Sequence, residues 1–120
     1  MRVKIKNNHI GRGVKSEGAY FKVSKSARPV GMINVSAGKM INSLALQNNR
    51  VDIEVDEEEK RIYIIPTVEG EFRLTKRKKY DGYNISMVEI KENYRFVDYN
   101  RHPVDLVNGE IVIDFSKEVE

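Results

Sequence analysis

Apolar and polar residues alternate along several short stretches of the chain, and this alternation predicts β-strands. Between residues 20 and 36, "YFKVS" and "MINVS" alternate in this way and flank "KSARPVG", in which proline and glycine favour a turn. Between residues 72 and 86, "FRLT" and "YNIS" flank "KRKKYDG" in the same order, and Asp-Gly is a strong turn signal. The pattern therefore predicts two hairpins with similar sequences.

A serine and apolar residues at helical spacing follow each hairpin, which predicts a short helix after each. The first helix would begin after Ser36 and the second after Ser86. Ser86 and Glu89 have the S-x-x-E spacing of a capping box. The predicted buried faces are formed by Met40, Ile41 and Leu44 in the first helix and by Met87, Ile90 and Tyr94 in the second.

Each helix is followed by another alternating pair of strands. "RVDIEVDEEEKRIYIIP" turns through a charged segment, and "HPVDLVNGEIVIDF" turns through Asn108-Gly109, the strongest short hairpin signal in the chain. Residues 17–67 and 68–120 thus have the same predicted order of hairpin, helix and hairpin. A unit of this size buries too little apolar surface to fold alone, which indicates a tandem duplication whose two units pack as a pseudo-dimer. Residues 1–16 are predicted to form a separate basic strand or arm.

The composition narrows the class of protein. The chain has 120 residues, 40% of them hydrophobic, and no cysteine, which fits one fused body in a reducing cytoplasm. No apolar stretch approaches the roughly 20 residues of a membrane span. The net charge is +3, yet residues 1–28 contain eight basic residues and only one acidic residue. A charge distribution of this kind favours a polyanionic partner.

The order of elements resembles the swapped-hairpin unit of the AbrB and MazE superfamily of bacterial regulators and antitoxins. Residues 21–66 resemble it best, and the tandem layout is similar to that of MraZ-type proteins. The resemblance implies a mainly β fold with two short helices (β/α+β), in which two tandem β-hairpin–helix–β-hairpin units form a pseudo-dimeric swapped-hairpin body. It also implies that basic residues of the hairpin loops contact DNA.

The resemblance thus predicts a small DNA-binding protein, a transcriptional regulator that holds duplex DNA by its backbone. The two basic loops would be related by a pseudo-two-fold axis and contact phosphates on successive turns. The predicted nucleic-acid-binding residues are Lys22, Lys25 and Arg28 in the first unit and Arg73, Lys76, Arg77, Lys78 and Lys79 in the second.

Aromatic residues near the basic ones have two interpretations. Base stacking is one, and packing at the joint between the units is the favoured one. The residues concerned are Tyr80, Tyr83, Tyr94, Phe96 and Tyr99. Arg101 and His102, which precede a proline at the start of a strand, are interpreted as structural.

Other functions remain open from the sequence. One is a non-enzymatic protein-binding or inhibitor module, such as a phage-type accessory protein, that docks its basic face on an acidic partner or accepts a strand at an exposed edge. Another is a protein that sequesters a small phosphate-bearing ligand at Arg28 or Arg101 between protomers of a homo-oligomer. His9 and His102 lack further ligands at metal spacing, so neither a metal, a cofactor nor an enzymatic activity is predicted.

Overall fold

Nine strands form one antiparallel sheet in the computed structural model, which describes residues 19–34, 49–76 and 82–119. The strands are β1 (Tyr20–Val23), β2 (Val30–Ile33), β3 (Arg50–Asp56), β4 (Arg61–Pro66), β5 (Phe72–Arg73), β6 (Thr75–Lys76), β7 (Tyr83–Ser86), β8 (His102–Val107) and β9 (Glu110–Asp114). One helix, α1 (Val88–Asn93), connects β7 to β8 within these ranges.

The strands follow the predicted alternation closely. Two differ: β2 spans Val30–Ile33 and begins earlier than the predicted strand, and the strand predicted for "FRLT" is divided into β5 and β6. The Asn108-Gly109 turn is confirmed, with φ angles of 52° and 79°. The predicted capping box is wrong, because Ser86 belongs to β7 and pairs with Val30 of β2. The residue that precedes α1 is Met87, and it makes no side-chain capping hydrogen bond. The predicted arm at 1–16 and the first predicted helix lie outside the described residues.

Residues 72–76 join the two ends of the sheet. β5 pairs with β3, whereas β6, two residues later, pairs with β7 on the opposite side. Leu74, between them, is fully buried, and its N–H donates to the carbonyl oxygen of Asn49 at 2.9 Å. The strand order β5-β3-β4-β9-β8-β1-β2-β7-β6 is thereby rolled into a nearly closed barrel.

The predicted fold class is wrong. Strand predominates among the described residues, which contain one helix of only six residues instead of a β/α+β body built from two hairpin–helix–hairpin units. The physical reason is that residues 72–76 pair with β3 through β5 and with β7 through β6. Main-chain hydrogen bonds therefore connect all nine strands into one nearly closed sheet.

The strand pairings have an internal two-fold relation. β5 and β6 together are the counterpart of β1, and β2, β3 and β4 are the counterparts of β7, β8 and β9. The β1–β2 pair thus corresponds to β6–β7, the β1–β8 pair to β5–β3, and the β3–β4 pair to β8–β9. The β2–β7 and β4–β9 pairs join a strand to its own counterpart. Val51 lies opposite Phe72 of β5, and His102 lies opposite Phe21 of β1. Val51 and His102 therefore occupy equivalent places in the sheet.

The core fills the inside of the barrel. Side chains alternate along each strand, so one set faces inward. Gly31 of β2 is part of this packing, because a Cβ there would overlap the ring of Phe21. The largest fully buried apolar side chains are Phe21, Val23, Ile33, Ile62, Ile64, Leu74, Ile85, Met87, Ile111 and Ile113.

Candidate nucleic-acid interface

Charge is segregated between two parts of the barrel. We define the basic wall as β1, β2, β5, β6 and β7 with the connection that includes α1, residues 19–34, 72–76 and 82–101. It contains eight basic and three acidic residues. The acidic wall is formed by β3, β4, β8 and β9 with their connections, residues 49–71 and 102–119, and contains four basic and twelve acidic residues. Like charges on one side of a protein add to a surface potential that attracts oppositely charged partners.

The loop between β1 and β2 presents two cations of the basic wall. Its serines satisfy the main chain, since Ser24 Oγ accepts from Val30 N–H at 3.0 Å and Ser26 Oγ donates to the Arg28 carbonyl at 3.0 Å. Lys25 and Arg28 are both exposed. Lys22 lies on β1, half-buried, between the inward-facing Phe21 and Val23.

Three cations of the basic wall lie against tyrosine rings. The amines of Lys25 and Lys91 lie 5.5 and 4.9 Å from the centre of the Tyr99 ring. The guanidinium of Arg101 lies 4.8 Å from the centre of the Tyr20 ring. Because cations are attracted to the faces of aromatic rings, the tyrosines hold these positive charges together. Sequence reasoning missed Lys91 and interpreted Arg101 as structural.

The β1–β2 loop and the Lys76 end of β6 lie at opposite ends of the basic wall. The Met87 N–H donates to the Pro29 carbonyl at 3.0 Å, so the β1–β2 loop and the start of α1 share one end. Lys76 pairs with Tyr83, which lies opposite Ile33 at the other end of β2. Arg73 and Lys76 are exposed at that end. Arg77, Lys78 and Lys79 lie outside the described residues.

A buried histidine fixes the connection that carries Tyr99 and Arg101. His102 is 1% exposed, and its ring lies 4.2 Å from that of Phe115. Its Nδ1 is 2.5 Å from the Lys117 carbonyl oxygen, and its Nε2 is 2.6 Å from an Asp98 carboxylate oxygen. Both ring nitrogens of this buried side chain therefore have a polar partner within hydrogen-bond distance. The interpretation of His102 as a structural residue agrees with this geometry.

Asp98 is the ionised partner in this arrangement. Partial burial opposes its ionisation, but hydrogen bonds from His102 and from the Asn100 N–H, together with nearby positive charge, outweigh burial and lower the pKa of Asp98. The Asp98 carboxylate therefore remains charged at neutral pH, and it tethers the α1–β8 connection to the barrel.

A shallow groove of about 430 Å³ lies on the acidic wall, where Arg61, Tyr63 and Asp105 are among its lining residues. Asp114 in this groove accepts hydrogen bonds from the Ser116 N–H and hydroxyl, and it lies 4.0 Å from Arg61 Nε. Burial opposes its ionisation, but these partners together lower the pKa of Asp114. Asp114 and Arg61 are thus already paired with neighbours.

Three comparisons extend this description. No family model, curated protein or solved structure matches the chain.

Within residues 19–34, 49–76 and 82–119, no helix is long and apolar enough to cross a membrane. In the same ranges, histidine and carboxylate side chains form no group of three that could hold a metal ion.

Proposed function

We propose that the protein is a cytoplasmic DNA-binding regulator that holds duplex DNA against its basic wall. The observation that carries the proposal is the segregation of charge, with eight basic and three acidic residues on this wall and the reverse imbalance on the other. A phosphate backbone is attracted to the first surface and repelled by the second. Binding would release condensed counterions and so weaken steeply as salt increases.

The spacing of the cations favours one groove of the duplex. With a strand spacing of about 4.8 Å and a rise of about 3.4 Å per residue, Val30 at the end of the β1–β2 loop and Lys76 of β6 lie about 14 Å apart diagonally. The major groove is about 12 Å wide, whereas successive turns are about 34 Å apart. Cations at the two ends of the wall therefore suit phosphates on both sides of one groove, rather than the successive turns that the sequence predicted.

The tyrosines of the basic wall support phosphate binding more than base stacking. Tyr99 has two lysine amines against its ring, and Tyr20 has the guanidinium of Arg101. These contacts hold long side chains in place, which reduces the entropy that they lose when they bind a phosphate. Backbone contacts of this kind position a protein on DNA without specifying sequence.

Fluorescence anisotropy with a mixed-sequence duplex tests the proposal, over about 50 to 200 mM salt. The wild-type protein should bind with a steep salt dependence. Replacing Lys25→Gln and Arg28→Gln together should weaken binding and reduce the slope of log K against log salt by about 2, since each lost phosphate contact contributes about 0.9.

A matched control distinguishes a surface from net charge alone. Lys60→Gln with Lys117→Gln removes the same charge from exposed positions on the acidic wall and should leave the slope nearly unchanged. Equal losses in the two double variants would contradict the role of the basic wall. Absence of duplex binding at the lowest salt would overturn the proposal and favour an acidic protein or a small anionic ligand.

A further inference from the structure

The edge of β3 beyond Val51 has no partner strand in the described part of the chain. β5 pairs only with Arg50 and Val51, after the turn at 67–70 has brought the chain around the end of β3. β4 covers the other side of β3 along its whole length, from Val51 to Asp56. Among the described residues, the part of β3 from Asp52 to Asp56 is therefore paired with a strand on one side only.

The open side belongs to the main-chain groups of Ile53 and Val55. The carbonyl of Asn49 accepts from Leu74 on the β5 side, whereas that of Arg50 accepts from Thr67, which follows β4. Main-chain groups of successive residues point to opposite sides of a strand. Odd-numbered residues of β3 thus direct their N–H and C=O groups away from β4.

The two N–H groups at the equivalent edge of β8 have partners within the chain. The N–H of Val104 donates to the Ala19 carbonyl at 3.0 Å, and the N–H of Leu106 donates to an Asp105 carboxylate oxygen at 2.9 Å. Gly70 corresponds to Ala19, since each precedes its paired phenylalanine by two residues. The Gly70 carbonyl instead accepts from the Arg50 guanidinium at 3.3 Å, away from Ile53.

Side chains and charge around the β3 edge define what could pair with it. Ile53 and Val55 face inward but are only half-buried. A shallow cavity of about 350 Å³ lies over the β3–β4 hairpin next to this edge, lined by Val55, Tyr63 and four acidic residues. The acidic residues of β3 and the turn that follows it are Asp52, Glu54, Asp56, Glu57, Glu58 and Glu59.

We propose that the β3 edge binds an extended segment of a partner protein in which apolar residues alternate with lysine or arginine. Strand addition would satisfy the main-chain groups of Ile53 and Val55. Because side chains alternate in register across paired strands, apolar residues of the segment would lie against Ile53 and Val55. The residues between them would face the carboxylates of β3, which favours cations there. This surface is separate from the basic wall.

A second copy of the chain is the alternative occupant. Residues 1–6 alternate in the required way, with Met1, Val3 and Ile5 between Arg2, Lys4 and Lys6. Sedimentation of the protein over a range of concentrations separates the two occupants. Self-association that is abolished by Val55→Pro would overturn the assignment to a partner protein, and a monomer at every concentration excludes the second copy.

The direct test uses a short labelled peptide in which valine and lysine alternate, with the full-length protein. Its binding should slow amide hydrogen exchange at Ile53 and Val55 in NMR spectra and leave Leu106 unchanged. Val55→Pro removes a donor on the open side, a place where an edge strand tolerates proline, and should lower the affinity about tenfold. Leu106→Pro, at the equivalent place in β8, is the matched control and should leave the affinity unchanged.

A milder variant keeps the test independent of folding. Glu54→Gln, on an exposed position of β3, should lower the peptide affinity about threefold, whereas Glu110→Gln on β9 should not change it. Peptide binding without protection of the Ile53 and Val55 amides, or equal losses at the test and control positions, would overturn the proposal. An unaffected DNA affinity in these variants separates this site from the basic wall.

Discussion

The β3–β4 and β8–β9 hairpins occupy equivalent places in the barrel, yet they differ in a buried side chain and in the hydrogen bonding of their edges. At the equivalent place opposite a phenylalanine, β3 has Val51 and β8 has His102, and both side chains are almost fully buried. The first hairpin has six register pairs and a charged turn of four residues, whereas the second has four pairs and the Asn108-Gly109 turn.

The difference shows how one position in a sheet can have two solutions. Val51 needs only apolar neighbours, but an imidazole in the same place must have partners for both ring nitrogens. His102 finds them in Asp98 and the Lys117 carbonyl, and so fixes the connection that carries the cations of the basic wall. The first hairpin has an apolar side chain at this place, and within the described residues no strand pairs with the β3 edge beyond Val51.

The largest expected difference between the hairpins is at Gly70. An added Cβ would overlap main-chain atoms of Val51, which cannot move without breaking the β3–β5 pairing. Gly70→Ala should lower the free energy of unfolding by about 3 kcal/mol, at the upper end of typical overpacking costs. Urea denaturation followed by circular dichroism measures this loss.

Ala19 provides the matched control for Gly70. Ala19→Gly places in the second hairpin the residue that the first one has, and it should cost at most about 1 kcal/mol from backbone entropy. Similar losses for the two variants would contradict the close approach of Gly70 to β3.

Local sequence patterns predict the strands well because alternation and turn chemistry are local properties. The Asn108-Gly109 turn is an example, since both residues adopt the positive φ that their types tolerate. The closure of the barrel at 72–76 could not be predicted in this way. The closure depends on hydrogen bonds to β3 and β7. Alternation of apolar and polar residues predicts which side of a strand is buried, but it does not predict which strands are neighbours. Ser86 resembles a helix cap for the same reason, although its partner is Val30.

The candidate site was predictable only in part. Lys25 and Arg28 lie in a turn-forming segment, so their exposure follows from the local sequence. The position of Lys91 beside Tyr99 depends on where the α1–β8 connection is tethered, and that is decided by the contact of His102 with Asp98. The roles of all these residues in DNA binding remain predictions.

A smaller effect, dependent on pH, is expected at the His102 tether. Asp98→Asn should lower the free energy of unfolding at pH 7 by about 1 kcal/mol, a value kept small because the Asp98 side chain is 44% exposed. The folded-state pKa of Asp98 is lowered, so its contribution is present above its unfolded pKa of about 3.9 and is lost as pH falls through the folded value. Thermal unfolding from pH 7 to acidic pH should show the two proteins converging.

A double-variant cycle assigns this effect to the histidine. His102→Val copies the residue found at the equivalent place in β3 and removes the partner of Asp98. In that background Asp98→Asn should have little effect at any pH, because the bond that it weakens is already absent. Additive losses would show that Asp98 stabilises the connection through other contacts.

The smallest expected difference lies in the two turns. Lys60, in the turn of the first hairpin, has φ of 56°, and Asn108 in the second has φ of 52°. A left-handed conformation costs lysine more than asparagine, whose short side chain can bond locally. Lys60→Gly should therefore raise the free energy of unfolding by about 0.5 kcal/mol, the strain relieved less the entropy that glycine loses on folding, whereas Asn108→Gly should be close to neutral. Urea denaturation of both variants measures the contrast, and a loss of stability in Lys60→Gly would show that the lysine stabilises the turn by contacts that outweigh its backbone strain.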